Sequence, residues 1–158
     1  MKVAVVFGSQ SDQETMQKAA TVLRDCGIGF SAHVISAHRT PELLDKTIRE
    51  LEEDGTELII AGAGLAAHLP GLIAAKTLIP VIGVPIASGS LGGLDALFSI
   101  VQMPKSVPVA TVGVDNASNA AYLAAQILGL KYPELKKKLE EYRAGMKSKL
   151  AGQSRIEL

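Results

Sequence analysis

Five short apolar runs, most of them leading through a turn into a helical pattern, constrain the fold of this chain more tightly than any other feature. Residues 3–7 are continuously apolar, as in a strand covered on both faces, and the polar turn Gly8-Ser9-Gln10-Ser11-Asp12 follows. Met16, Ala19, Ala20 and Leu23 then share one helical face up to Gly27, and Ser11 and Glu14 have the spacing of a capping box. Residues 30–35 predict the second strand. The helix opened by Thr40-Pro41 carries Leu44, Ile48 and Leu51 on one face until Gly55. Further strands are expected at 57–61, 80–84 and 109–112, with helices over Leu94–Val101 and Ala117–Leu128 and from Pro133 onward.

Strands alternating with helices imply a parallel sheet with right-handed crossovers. The expected architecture is a three-layer α/β/α domain whose five-stranded parallel sheet has flavodoxin-like order, followed by a C-terminal helix. One domain is expected over 1–158, with the core in 1–130 and an amphipathic helix over 133–152. In that helix Leu135, Leu139, Tyr142, Met146 and Leu150 form an apolar stripe longer than one small sheet needs, so part of it is expected to pack on a second subunit.

Composition excludes several classes. Formal net charge is +0 and aromatic residues are 4%, which is neither a nucleic-acid footprint nor a stacking surface for bases. The apolar zone from Leu58 to Val84 is broken by glycines, prolines, His68 and Lys76, and it reads as strand, helix and strand, with no membrane span. The first apolar run is too short for a signal peptide, and the lone Cys26 allows no intrachain disulfide. A reducing, cytoplasmic compartment is the expectation, with Cys26 a packing residue.

The chemistry concentrates in Ser36-Ala37-His38-Arg39-Thr40-Pro41. Pro41 suits a first helical position with Thr40 as N-cap, which leaves His38 and Arg39 on a loop at the carboxyl end of a strand, where open α/β sheets bind ligands. Arg39 beside a helix start suits a phosphate, and His38 can both give and take a proton. Ser9 in the first bend points toward the same crevice, while Ser11 and Asp12 have capping as their plain alternative. The small residues from Gly62 to Gly71 let a ligand approach the backbone closely, and the polar loop from Ser88 to Gly93 is of the kind that closes over a site. His33, His68 and His38 have no cysteine or carboxylate at ligand spacing, so no metal is expected. Neither glycine-rich loop is a Walker A or a GxGxxG.

Gly8-Ser9-Gln10-Ser11-Asp12, then SAHRTP, then AAHLPG from Ala66 to Gly71, then SIVQMP from Ser99 to Pro104 together resemble the 5-(carboxyamino)imidazole ribonucleotide mutases of purine biosynthesis, also called the catalytic subunit of phosphoribosylaminoimidazole carboxylase, of the class I type. The resemblance runs from about Val3 to Leu128 with the motifs in the same order. It implies transfer of a carboxylate from an exocyclic nitrogen to the adjacent ring carbon, with no cofactor. It also implies His38 as the acid/base group and Ser9, Asp12 and Arg39 as ligands of the ribonucleotide, with Asp12 on ribose hydroxyls and Arg39 on phosphate. Ser11 and Ser36 would add phosphate contacts, and Gly64, Ala66 and His68 would line the pocket around the imidazole. The family forms octamers, so the resemblance implies a homo-octamer, together with functional coupling to an ATP-dependent carboxyaminoimidazole ribonucleotide synthase.

Two positions depart from the pattern. Leu65 stands where the family usually has a glycine, and it would either narrow the pocket or point into the core; Phe98 stands where tyrosine is common, and is expected to be a packing residue. Competing readings are direct carboxylation of aminoimidazole ribonucleotide, a non-catalytic nucleotide-phosphate module, and a flavodoxin, the last disfavoured by the absence of tryptophan.

Overall fold

A computed structural model of the chain describes residues 1–152, so the last six positions of the expected domain lie outside the described residues. Five parallel strands, β1 (Lys2–Phe7), β2 (Gly29–Val34), β3 (Leu58–Gly64), β4 (Val81–Ile86) and β5 (Ala110–Thr111), form one sheet in the order β2-β1-β3-β4-β5. This is the flavodoxin-like order. Six helices accompany them: α1 (Gln13–Asp25), α2 (Pro41–Glu53), α3 (Leu69–Ala74), α4 (Leu94–Val101), α5 (Ala117–Leu128) and α6 (Pro133–Gly152).

Burial explains why the runs look as they do. β1, β3 and β4 are almost wholly buried because both faces are covered, whereas β2, an edge strand, mixes exposed and half-buried residues and carries His33. The period-two alternation of side chains sorts the central strands into two cores. Val3, Val5, Phe7, Leu58, Ile60, Ile82 and Val84 pack with α1, α5 and the start of α6. Ala4, Val6, Ile59, Ala61 and Val81 pack with α2, α3 and α4. Each fully buried Leu or Ile among them contributes about 1.5–3 kcal/mol relative to exposure.

Small residues set the spacing of the layers. Ala117, Ala120, Ala121, Ala124 and Ala125 are fully buried, and α5 lies directly against α1. Gly83 lets α4 sit on β4: a Cβ there would collide with Ile100 Cγ2 and stand 2.9 Å from Val109 Cγ1.

The third and fourth strands run two or three residues further than the sequence predicts, to Gly64 and Ile86, and the fifth shrinks to two residues. Gly64 and Ile86 pair across the ladder, so the backbone stays extended where the glycine lowers strand propensity. The stripe on α6 divides: Leu135 and Leu139 are buried, while Tyr142, Met146 and Leu150 stay outside the core. Phe98, expected as a packing residue, is 57% exposed on α4.

Candidate active site

The order of the sheet reverses between β1 and β3, and the loops leaving their carboxyl ends diverge to leave a crevice there. The register fixes its floor: Phe7 pairs with Val34 on one side and with Gly62 on the other. The loop after β1 enters with Ser9 extended, and its hydroxyl accepts the Ser11 N–H (3.3 Å) as the cap of a 3-10 turn over Gln10–Asp12. The Ser11 hydroxyl lies 3.0 Å from Ser9 Oγ and 3.3 Å from Asp12 Oδ1.

The capping box expected of Ser11 and Glu14 does not form. The intervening 3-10 turn delays α1 until Gln13, so its N-cap is Asp12, whose helical φ/ψ of −87°/−7° keeps the side chain from capping. Asp12 is instead 8% exposed and lines the crevice. Burial raises its carboxyl pKa, and the Ser11 hydroxyl and the Ser9 backbone only partly offset this.

The loop after β2 continues the ladder through Ile35 N–H to Phe7 O (2.9 Å) and then folds around Ser36. The Ser36 carbonyl accepts from the Thr40 N–H (2.8 Å) and the Thr40 hydroxyl (2.9 Å), and its side-chain oxygen accepts from Arg39 Nε (3.1 Å). Thr40 and Pro41 open α2 as expected, but the Thr40 hydroxyl turns back to Ser36 and makes no cap bond. Arg39 is thereby oriented through Nε, which leaves its terminal donors for the rim.

The loop after β3 supplies the opposite wall. His68 stands at the N-cap position of α3, whose second residue is Pro70, but its side chain makes no cap bond; its Nδ1 lies 2.7 Å from Nε2 of His38, with the two rings edge to face at a centroid separation of 4.9 Å. A bond between two imidazole nitrogens needs one donor and one acceptor, so while it persists at most one of the two rings is cationic.

A cleft of about 260 Å³ is lined by Gly8, Ser9, Ser11, Asp12, Ser36, His38, Gly64, Ala66 and His68, with Ala37, Ala63, Leu65, Leu69 and Ser88 completing it. Arg39 lines an adjoining depression of about 470 Å³, which shares Gly8, Ser9 and Ser36 with the first. Eight of the nine residues named from the sequence therefore meet in one cleft, and the ninth stands at its extension.

Ser88 is a wall residue that the sequence does not single out. Ser88 comes from the loop after β4, whose polar composition marked the loop but not the residue. Asp115, at φ 56°, holds the start of that loop by accepting the Ala87 N–H at 2.9 Å. Leu65 faces the cleft and not the core: it is 51% exposed, with φ 55°. Cys26 lies apart at the end of α1, its thiol pushed up in pKa by burial and by Asp25, which suits packing. Among the described residues no group of three or more His, Cys, Asp or Glu is placed to hold a metal ion, and no helix is long and apolar enough to cross a membrane.

Comparisons with known proteins match this arrangement along nearly the whole chain. A family model described as AIR carboxylase matches residues 2–149. The N5-carboxyaminoimidazole ribonucleotide mutase of Pyrococcus abyssi is 60% identical over 146 residues, covering 92% of this chain and 84% of that protein. The mutase of the same name from Escherichia coli K12 is 52% identical over 144 residues, covering 90% and 85%. The crystal structure of Treponema denticola PurE superposes with a TM-score of 0.89 at 30% identity, covering 96% of this chain and 94% of that one. Since the matched segment runs from β1 into the last turns of α6 and takes in every residue of the cleft, the chain belongs to the AIR carboxylase family.

Proposed function

We propose that this chain is an isomerase that converts 5-(carboxyamino)imidazole ribonucleotide to 4-carboxy-5-aminoimidazole ribonucleotide in purine biosynthesis. The observation that carries the reading is the His38–His68 contact inside a cleft lined mainly by small and hydroxylic residues together with the Asp12 carboxylate, in a chain 51–60% identical to the first eight curated relatives, all named as this mutase. An aminoimidazole is enamine-like and already nucleophilic at its ring carbon, so the reaction asks of the protein only positioning, one proton shuttle and exclusion of water.

His38 carries the proton. It protonates the carbamate nitrogen, the N–C bond breaks with its electron pair left on nitrogen, and carbon dioxide is released within the cleft. The ring carbon attacks that carbon dioxide, and His38 removes the ring proton to restore aromaticity, ending as it began. His68 receives or returns the His38 N–H across the 2.7 Å contact and keeps the ring oriented. Asp12 accepts the ribose hydroxyls, and Arg39 takes the phosphate in the adjoining depression, with Ser9, Ser11 and Ser36 between them. Gly64 and Ala66 bring backbone close to the imidazole.

We further propose that the protein is a cytoplasmic homo-octamer coupled functionally to an ATP-dependent carboxyaminoimidazole ribonucleotide synthase. Exposed apolar side chains on α4 (Leu94, Phe98, Val101) and on α6 (Tyr142, Met146, Leu150) support burial against other copies. The test of function supplies the purified protein, without ATP or metal, with the carbamate and separately with aminoimidazole ribonucleotide plus bicarbonate. Efficient product formation from the carbamate alone supports the mutase; preference for bicarbonate makes the enzyme a direct carboxylase.

A further inference from the structure

Leu65 is an anomaly in three independent respects. It is a bulky residue at φ 55°, a left-handed conformation that is strained for an L-residue with a side chain and that glycine adopts freely. It is half exposed although apolar, and it lines the cleft. Its Cδ2 also leans onto the loop after β4: a Cβ placed on Gly89 would stand only 2.8 Å from it, so the bare backbone of Gly89, itself at φ 67°, makes the seat for this side chain. Strain of this kind persists where the surroundings hold it, and it concentrates at functional sites.

The rest of the cleft wall shows what the side chain adds. Ala37, Ala63, Gly64 and Ala66 are small, and Leu69 is 3% exposed beneath them, so Leu65 is the one large apolar side chain at the rim among the described lining residues. Leu65 also spans the gap between the loop after β3 and the loop after β4, the loop that carries Ser88. In the proposed reaction the transferred group is, for a moment, carbon dioxide, which has neither charge nor dipole. No ion pair holds such a molecule; where the family usually has a glycine, Leu65 adds an apolar wall to the containment that the small residues around it provide.

We propose that Leu65 is a retention residue: its side chain, seated on Gly89, closes the rim of the cleft over the reacting carbon and keeps released carbon dioxide from escaping before the ring carbon captures it. The inference rests on the mutase reading above. It assigns Leu65 no part in proton transfer or in binding ribose and phosphate, so its loss changes the fate of the intermediate more than the affinity for substrate.

The experiment follows both products from the carbamate, free aminoimidazole ribonucleotide and the carbon-carboxylated ribonucleotide, for the wild type, Leu65→Ala and Leu65→Gly, after subtracting uncatalysed decarboxylation. Leu65→Ala keeps the Cβ and the backbone cost, and Leu65→Gly removes both, so neither variant is expected to lose its fold; melting temperatures check this. The expected result is a ratio of free to carboxylated product raised about fourfold or more in both variants, with KM little changed. Fourfold corresponds to about 0.8 kcal/mol, the worth of one buried methylene, at 1.4 kcal/mol per tenfold. An unchanged ratio in both variants, with or without a lower melting temperature, overturns the proposal and makes Leu65 a structural side chain. If the wild type forms no carboxylated product from the carbamate, the mutase reading itself fails and this inference falls with it; a productive wild type with unchanged variants refutes the role of Leu65 alone.

Discussion

Nε2 of His38 and Nδ1 of His68 lie 2.7 Å apart, joining the loop after β2 to the helix start after β3 across the point where the sheet order reverses. Replacing His38 by asparagine keeps a polar side chain at an exposed position but removes the proton carrier. Turnover is expected to fall at least roughly a hundredfold, the low end of what a positioned acid/base group supplies, with an unchanged circular dichroism spectrum. His68→Asn is expected to lose less, since it orients and does not itself transfer the proton to substrate. Wild-type turnover by the His38 variant refutes its assignment.

Asp12 sets stability against binding. Burial raises its folded pKa above the unfolded value of 3.8, so the fold disfavours the charged carboxylate more than the unfolded chain does. Its contribution is therefore fully stabilising only below the unfolded pKa and fades as pH rises through the folded one, leaving a cost at neutral pH. Asp12→Asn is expected to raise the melting temperature at pH 7 and to change it little near pH 3. The same variant should weaken ribonucleotide binding by roughly tenfold or more, as expected for a lost hydrogen bond to a charged group worth about 1.5–3 kcal/mol. A lower melting temperature at pH 7 contradicts this account.

Glu57 governs the acid limb of stability. Hydrogen bonds from Lys131 (2.7 Å) and the Tyr132 hydroxyl (2.7 Å) tie the start of β3 to the turn between α5 and α6, and they pull its pKa from 4.5 down to about 2. Its stabilisation is present above pH 4.5 and is lost as pH falls toward 2. Glu57→Gln should therefore lower stability at pH 7 and flatten the fall between those pH values in an acid titration of unfolding. Parallel titration curves for the two proteins would remove Glu57 from the explanation.

Gly83 is a matter of volume. A methyl there meets Ile100 and Val109 in the core between α4 and β4, and overpacking of this kind costs about 1–3 kcal/mol. Gly83→Ala is expected to lower the urea midpoint with an unchanged slope. A midpoint equal to that of the wild type would mean that α4 shifts without cost.

The fold was legible because its central strands are buried on both faces and so stand out as apolar runs, and because Gly27, Gly55 and Pro41 punctuate the helices. Strand ends were less legible: Ala63, Gly64, Pro85 and Ile86 continue their strands through ladder pairing, a tertiary effect that local propensity does not carry. The cleft was readable at SAHRTP and the loop after β1, where titratable and hydroxylic residues stand at strand ends. Ser88 was not, because its loop reaches the cleft only through the adjacency of β4 to β3 and the anchor of Asp115 on Ala87. Nor does an amino-acid sequence display a φ of 55°, so the direction of Leu65 had to come from the backbone.

The most direct test of carboxylate transfer within the cleft is a single-turnover reaction of the carbamate labelled with carbon-13 in its carboxylate, run in unlabelled bicarbonate. The carbon-carboxylated product is expected to keep the label, since the same carbon dioxide is released and captured beside His38. Product carrying the isotope ratio of the medium would contradict it and would make the protein a carboxylase that draws on free carbon dioxide.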